Sequence, residues 1–434
     1  MRFAAGLVGI ILAFFAMQPA KAQVEAALSR AEAPLNGPWA FRLGDNPKWA
    51  SPQFDDRAWE RVDLTPPPGA HDGDVGLPGY VPGWTARGHA GRWGYAWYRL
   101  HVRWNGLDGA PPVLLGPTLV DDGYEVYWNG ERLGGSADFA STPPSIHGVR
   151  PRLFQLGGSG TAGEGLLAIR VYLTKQSVRA AGAGGIHVAP ILAEPAAGTH
   201  HYIAQWWKTF WGYVADFVEP IALLGLALFT LSLWRFARKD RFLPWSAATA
   251  VAIAATRINQ PLFFWTGAEN LQTLILARFV IFNPLSMVFW VMACNRLDRS
   301  ADRRIDAAAW LAGLAAGAAA LPIIDWALLR SIARLALLAL TCWTSVNVVR
   351  MPRLRLPAVA TTLAMIVVLF SGEVSKLGIS GIWFPFGVGV SLTQFALVAA
   401  IPLLALFVHL RASPARSDEA PAVLPRASAE ALSA

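Results

Sequence analysis

Tyr124-Glu125-Val126-Tyr127-Trp128-Asn129-Gly130-Glu131-Arg132-Leu133 holds a strand, a turn and a returning strand in one short run. Asn-Gly between two such runs is a type I′ hairpin signal, because both central turn residues need positive φ. Upstream, Tyr98, Leu100, Val102 and Trp104 alternate with Arg99, His101 and Arg103, the period-two pattern of a half-buried strand. Downstream, Leu167, Ile169, Val171 and Leu173 repeat it. From about Asn36 to Glu194 the chain is rich in Gly, Pro and Trp and shows no helical period of useful length. Short strands separated by turn signals predict an all-β antiparallel sandwich of the jelly-roll kind. The paired acids Asp55-Asp56 and Asp121-Asp122 are expected to cap turns rather than to bind a ligand.

Beyond residue 200 the sequence changes character. The whole chain of 434 residues is 54% hydrophobic and 15% charged, where a soluble protein carries roughly 25% charged residues. A large part must therefore lie in lipid. Seven apolar stretches, Val214–Trp234, Phe242–Trp265, Leu271–Cys294, Ala307–Ile324, Ala327–Val349, Leu356–Gly372 and Pro385–Leu410, are each near the length that crosses about 30 Å of hydrocarbon. Arg235, Arg238, Lys239 and Arg241 follow the first. Arg296, Arg299, Arg303 and Arg304 follow the third, Arg350, Arg353 and Arg355 the fifth, and Arg411 and Arg416 the seventh. The alternate loops hold one clear basic residue, Lys376. Basic loops stay in the cytoplasm, so the sequence predicts an all-α seven-helix transmembrane bundle with its N-terminal side outside and its C-terminus inside. The formal charge of +8 is not a nucleic-acid signal: residues 23–199 hold 15 Lys/Arg against 17 Asp/Glu, and the excess sits in these loops.

The N-terminus agrees with that orientation. Met1-Arg2, a short apolar run Phe3–Met17 and Ala20-Lys21-Ala22 read as an export signal over residues 1–22, cleaved before Gln23. The expected organisation is a periplasmic sandwich over 23–199, a linker over 200–213, the helical domain over 214–410 and an Ala/Pro/Ser-rich tail over 411–434. Trp206, Trp207, Phe210, Trp211 and Tyr213, with Lys208, predict that the linker is a short interfacial helix, since amphipathic aromatics prefer the headgroup level. Cys294 and Cys342 fall in apolar stretches and read as buried small residues; the exported part has no cysteine and must be stable through its core alone.

Gly37-Pro38-Trp39-Ala40-Phe41-Arg42-Leu43-Gly44-Asp45, Trp49-Ala50, Phe54-Asp55-Asp56 and Trp59 resemble the opening of the sugar-binding jelly roll of family 2 glycoside hydrolases, a galactose-binding-like fold. Ala96-Trp97-Tyr98-Arg99, Asp121 to Gly130, and Leu167-Ala168-Ile169-Arg170-Val171 follow in that family's order. In those hydrolases the jelly roll is accessory, and the resemblance implies no glycosidase activity here: the catalytic glutamates sit on a barrel this chain lacks, and the reaction needs two carboxylates across one sugar ring. The sandwich is left as a carbohydrate-binding candidate. The long loop from Thr65 to Gly94 offers Asp72, Asp74, Trp84, Arg87, His89 and Trp93, since long loops in compact domains are often functional. Alternatively, Trp84 and Trp93 close one end of the core and the acids are solvated. Calcium on Asp72 and Asp74 has thin support; no metal, cofactor or catalytic residue is expected.

Within the apolar stretches, Glu219, Arg257, Arg278, Arg334 and Glu373 all fall in the outer half. A charge at mid-bilayer costs about 2.5–3.5 kcal/mol on insertion scales, so each needs a reason. One reading is an outward-facing polar pocket that favours an anionic group; the other is a set of interhelical ion pairs. Asn283-Pro284 predicts a kink. Rhomboid-type proteolysis fails, because His409 and Ser371 fall at opposite faces, and no inverted repeats suggest a transporter. In architecture, residues from about 200 to 410 resemble bacterial seven-transmembrane receptors with diverse intracellular signalling modules. The resemblance implies an inner-membrane sensor whose exported domain takes a ligand, with carbohydrate as the candidate. The short tail leaves no room for an output domain, so a separate cytoplasmic signalling protein is the expected partner. The alternative is a non-signalling carbohydrate-binding or scaffold protein.

Overall fold

The computed structural model describes residues 31–73, 76–105, 111–157, 162–180, 182–297, 301–346, 354–385 and 387–413. The expected export signal, Asp74 and nearly all of the expected tail lie outside them.

In chain order the N-terminal half carries β1 (Glu32–Pro34), β2 (Trp39–Leu43), β3 (Glu60–Val62), β4 (Gly94–Asn105), β5 (Val113–Leu115), β6 (Leu119–Asp121), β7 (Gly123–Trp128) and β8 (Glu131–Gly135). It continues through β9 (Ala137–Asp138), β10 (Ser145–Ile146), β11 (Leu153–Gln155), β12 (Ala162–Leu173), β13 (Gly185–Val188) and β14 (Ile191–Ala193). One sheet has the order β3-β2-β4-β12-β7-β8, and a second has the order β1-β14-β5-β11; their pairings are antiparallel. The hairpin is as the sequence predicts: Asn129 has φ 50° and Gly130 φ 87°, and Trp128 pairs with Glu131. The sheets share one core, in which Trp39, Tyr98, Val102, Val126, Leu167 and Ile169 of the first meet Leu114, Phe154 and Leu192 of the second. Alternating positions on β4 and β12 thus supply the apolar face that their period announced.

The opposite face of β4 departs from the expectation of a solvated face. Trp97 and Arg99 are buried there under Trp49, Ala50 and Trp59. Arg99 is 1% exposed, and its guanidinium donates to Asp56 at 2.8 Å, to the Ser51 and Phe54 carbonyls at 3.0 Å each, and to the Trp49 carbonyl. The paired acids divide accordingly. Asp55 caps a turn by accepting from the Arg57 N–H at 3.0 Å, whereas Asp56 answers a buried arginine. Asp122 accepts from the Thr174 N–H and the Ser177 hydroxyl, both at 2.8 Å. Period-two reasoning missed Arg99 because an added layer covers the outer face of the sheet.

The C-terminal half is helical: α1 (Pro195–Trp234), α2 (Phe242–Pro261), α3 (Leu271–Ile275), α4 (Asn283–Cys294), α5 (Arg303–Ala319), α6 (Ala327–Ser345), α7 (Arg355–Leu369), α8 (Ser371–Ser375) and α9 (Leu392–Ala412). Among the described residues four helices, Pro195–Trp234, Leu271–Cys294, Ala327–Ser345 and Leu392–Ala412, are long and apolar enough to cross a membrane. The expected short interfacial helix is instead the first part of α1, a single 40-residue helix, because nothing between Pro195 and Val214 terminates it. Pro284 stands in the first turn of α4, directly after a π-helical segment Leu276–Phe282, which is where a missing N–H is tolerated. Small residues let α5 approach closely: a Cβ on Gly317 would lie 2.5 Å from the Val280 carbonyl, and one on Gly313 2.3 Å from a Val288 methyl. Cys294 is buried as expected, but Cys342 is exposed on the outer surface of the bundle, which in an apolar helix is the side offered to lipid.

The halves meet at one end of the bundle. His147 lies 3.2 Å from the Glu269 carbonyl, Gln176 donates to the Pro322 carbonyl at 3.1 Å, Arg179 pairs with Asp325 at 3.1 Å, and His71 packs edge-on to Phe384. The loops that face the sandwich are those poor in basic residues. At the other end Arg411 pairs with Asp240 at 2.5 Å and Arg296 with Asp306 at 2.7 Å, so these basic residues lie away from the sandwich.

Candidate functional site

The charged residues of the helices converge. Asp216 and Glu219 stand one turn apart on α1 and project from one face. Both meet Arg257 of α2, Glu219 at 2.8 Å. Asp216 also accepts from Gln394 of α9 at 3.3 Å. Arg334 of α6 forms a two-pronged pair with Glu373 of α8, at 2.6 and 2.7 Å, and reaches the Leu369 carbonyl at 3.3 Å. Arg278, in the π-helical segment, donates to Gln260 at 2.9 Å and lies over the Phe279 ring.

These groups wall a cavity of about 620 Å³, and a neighbouring space of about 270 Å³ shares Arg257, Arg278, Ser371, Gly372 and Thr393 with it. Arg257, Arg278, Arg334 and Glu373 face the larger cavity; Glu219 stands behind Arg257. Arg257 and Arg334 thus form interhelical ion pairs, and together with Arg278 they border a space. Sequence reasoning missed Asp216, Arg330 and Lys376, and missed that Gln176 and Arg179 of the sandwich close the cavity. Two signals were available in the spacing, since Asp216 precedes Glu219 by three and Arg330 precedes Arg334 by four, which sets each pair on one helix face. The contribution from the sandwich left no local signal. Cations outnumber acids on the lining: Arg179, Arg257, Arg278, Arg330, Arg334 and Lys376 against Asp325 and Glu373.

The loop residues proposed in the sandwich do not form one site. Trp84 is 1% exposed in the core, with its indole N–H donating to the Arg92 carbonyl at 2.9 Å. Arg87 braces the loop through the carbonyls of Pro82 and Asp63, and His89 pairs with Glu60 at 2.8 Å. Asp72 is buried elsewhere, accepting from the Leu77 N–H, where Leu77 packs with Tyr213, Phe264 and Trp265 at the junction with the helices. Asp74 lies outside the described residues, and among those described no group of acids, histidines or cysteines is arranged to hold a metal. Trp93 is 52% exposed.

A second ionised cluster sits under this loop. His187 lies 3.0 Å from Asp121 through Nε2, 2.8 Å from the Val81 carbonyl through Nδ1, and stacks on Tyr80. Burial opposes its charge, but the Asp121 carboxylate and the Val81 carbonyl outweigh burial and raise its pKa above 6.5. Burial opposes ionisation of Asp121 too, yet His187 and the Gly184 N–H hold its pKa below the usual range. Burial dominates at Asp122 and lifts it to about 6.

No protein-family model matches the chain, and no curated protein does. Among solved structures it is similar to a Bacteroides uniformis beta-glucuronidase, with 19% identity and a TM-score of 0.26 over 37% of this chain and 17% of that one. A beta-glucuronidase from glycoside hydrolase family 2 matches with 18% identity and a TM-score of 0.26 over 39% of this chain and 18% of that one. A Bifidobacterium dentium beta-glucuronidase matches with 15% identity and a TM-score of 0.26 over 38% of this chain and 30% of that one. The chain spans less than a third of the length of each of these enzymes.

Proposed function

We propose that the chain is an inner-membrane sensor: a jelly-roll sandwich outside, seven crossings, and a cytoplasmic end read by a separate signalling protein. The observation that carries this reading is the shared wall of the 620 Å³ cavity, to which the sandwich contributes Gln176 and Arg179 and the helices Arg257, Arg278, Arg330 and Arg334. Whatever enters that space touches both halves, so its binding energy differs between two ways of seating the sandwich on the bundle. A ligand shifts an equilibrium only through such differential contact. The cationic lining favours an anionic group such as an acidic sugar. The clamp of Arg411 on Asp240 and on the Arg296 and Leu297 carbonyls ties three segments at the far end, and supports a relay that ends where a cytoplasmic partner could read it.

The test uses the full chain in lipid nanodiscs, screened by thermal shift against neutral and acidic glycans, since a ligand of the native form raises the melting point by mass action. A sensor predicts a stabilising ligand whose effect is lost in Arg278→Leu and which alters hydrogen exchange around Asp240 and Arg411. Stabilisation with no change at that end sinks the relay and leaves the scaffold alternative. A reporter fused after Leu410 that is active only in the periplasm sinks the arrangement itself.

A further inference from the structure

Arg150 and Arg152 precede and begin the approach to β11, on the flank of the sandwich nearest α1. Together with Tyr202 and Trp206 of α1 they border a pocket of about 320 Å³. The pocket differs in kind from the helical cavity. There, Arg257 and Arg334 are answered by carboxylates. Here two guanidiniums stand side by side, and among the described residues neither has a carboxylate partner. Their Nε atoms are buried without a hydrogen-bond acceptor, and so is the hydroxyl of Tyr124, which lies beneath them within electrostatic reach of both. Arg150 has one long contact, from Nη1 to the Trp265 carbonyl at 3.4 Å. Desolvation and the charge of Arg152 both work against its own charge. Glu269, two residues beyond Gly267, forms no ion pair with either among the described residues, and its own Oε2 is buried without a hydrogen-bond partner. Buried donors that lack acceptors need an explanation, and two like charges held together in a half-buried pocket need a counter-charge.

The depth of the pocket identifies the counter-charge. Arg150 rests on Gly267, where a Cβ would come within 2.5 Å of its Nη2, and on Trp265, which stacks with Phe210 at 4.8 Å. Trp207, Phe210 and Trp211 follow Trp206 on α1 with exposed rings. Such a belt marks the headgroup level of a bilayer, where guanidiniums beside a membrane helix meet phosphates that they bind through charge-assisted hydrogen bonds. We propose that Arg150 and Arg152 bind the phosphate of an anionic phospholipid in the outer leaflet, with Tyr202 and Trp206 against its glycerol and upper chain. The lipid fixes the sandwich to the membrane surface at a point apart from the cavity; from the proposed function it takes only the placement of the sandwich outside.

The test takes the full-length protein, delipidated in a neutral detergent, and titrates it with phosphatidylglycerol, with phosphatidylcholine and with inorganic phosphate. Bound lipid is counted by native mass spectrometry and thermal stability is followed in parallel. Phosphatidylglycerol is expected to be retained and to raise the melting point; phosphatidylcholine has the same phosphate but sets a choline cation beside two guanidiniums, and should do so about tenfold less effectively, a difference of about 1.4 kcal/mol. Arg150→Gln/Arg152→Gln should lose the preference. Arg150→Lys/Arg152→Lys, which keeps both charges, should retain part of it and controls for folding. An unchanged preference in the glutamine variant overturns the site. Equal stabilisation by inorganic phosphate alone overturns the lipid as its occupant.

Discussion

Arg99 and Arg257 are both buried arginines, one in each half, and their surroundings differ in two ways. Arg99 has a single carboxylate, Asp56, and its other donors end on carbonyls of residues 49–54. Its acceptors all belong to one covering segment, so the guanidinium pins that segment to the outer face of β4, with the Phe54 and Trp59 rings against it. Arg257 has two carboxylates, Asp216 and Glu219, and borders both helical cavities. A buried charge is therefore not in itself a functional sign. A surplus of charge with room beside it is, because only there can a ligand, a proton or water change the balance.

The largest effect is expected at the closed site. Arg99→Met strands the Asp56 carboxylate and three carbonyls, and removing one partner of a buried pair costs about 3–5 kcal/mol. Chemical unfolding of the full chain should show the sandwich transition lost or shifted by that amount, while the double variant Arg99→Met/Asp56→Leu recovers a large part. A wild-type transition in the single variant would mean that the covering segment is held by Trp49 and Trp59 instead. A smaller effect is expected at the open site. Arg257→Gln leaves two acids unanswered, but Asp216 borders the smaller cavity and the shorter glutamine opens room beside Glu219, so the cost should stay below about 3 kcal/mol. Arg257→Gln/Asp216→Asn/Glu219→Gln should restore stability measured in detergent. If Arg257→Gln is as damaging as Arg99→Met, the two sites are alike and the contrast fails.

Legibility in the sequence followed the same divide. The hairpin at Asn129-Gly130, the core faces of β4 and β12, and the apolar helices were readable because each is a local period or a local turn requirement. From Phe242 onward each helix overlaps an expected stretch, with offsets where turns intervene: α5 runs Arg303–Ala319 against the expected Ala307–Ile324, and α9 begins at Leu392 rather than Pro385. Arg99 was not readable, because its burial depends on residues 49–59 folding over a face that alternation alone marks as solvated. Of the cavity, the charges inside apolar stretches announced themselves through their insertion cost. Arg179 and Gln176 did not, since two exposed-type residues of a loop become cavity wall only when the sandwich is seated. The loop from Thr65 to Gly94 misled for the converse reason: its chemistry-bearing residues were adjacent in sequence, while the fold commits Trp84 to the core and Asp72 to the junction.

The ionised cluster beside β6 and β13 extends the contrast to pH. Asp122 has a folded pKa of about 6 against an ordinary 3.8. Its folded form binds the proton more tightly, so its contribution is fully present below about pH 4 and is lost as pH rises through 6. His187, raised above 6.5, contributes stability that is present below 6.5 and fades as pH rises through its folded value. Asp121, lowered, acts oppositely and only in strong acid. The sandwich should thus weaken between pH 4 and 6 by on the order of 1–2 kcal/mol, after allowance for partial solvent screening. Asp122→Asn keeps an acceptor for the Thr174 N–H and should remove that step while sparing the one above 6.5. Hydrogen exchange of β7 and β12 amides at pH 4.5, 6 and 7.5, corrected for intrinsic rates, measures it; a step that persists in Asp122→Asn assigns it elsewhere.

The smallest effect on stability is expected at Trp93, and there the result bears on function. Its ring is half exposed and carries none of the core, so Trp93→Ala should change stability by less than about 0.5 kcal/mol. Trp84→Ala, by contrast, should empty a fully buried site at about 3–5 kcal/mol and cannot serve as a binding control. If a glycan stabilises the full chain through the sandwich, Trp93→Ala should abolish that shift without altering the unliganded melting point, because aromatic faces are the surfaces that sugars stack on. A glycan shift that survives Trp93→Ala and disappears in Arg278→Leu would instead place the ligand in the cavity between the halves. In that case the sandwich contributes Gln176 and Arg179 from its underside rather than a binding face of its own, and the surplus of charge beside Arg257 is the better guide to where this protein meets its ligand.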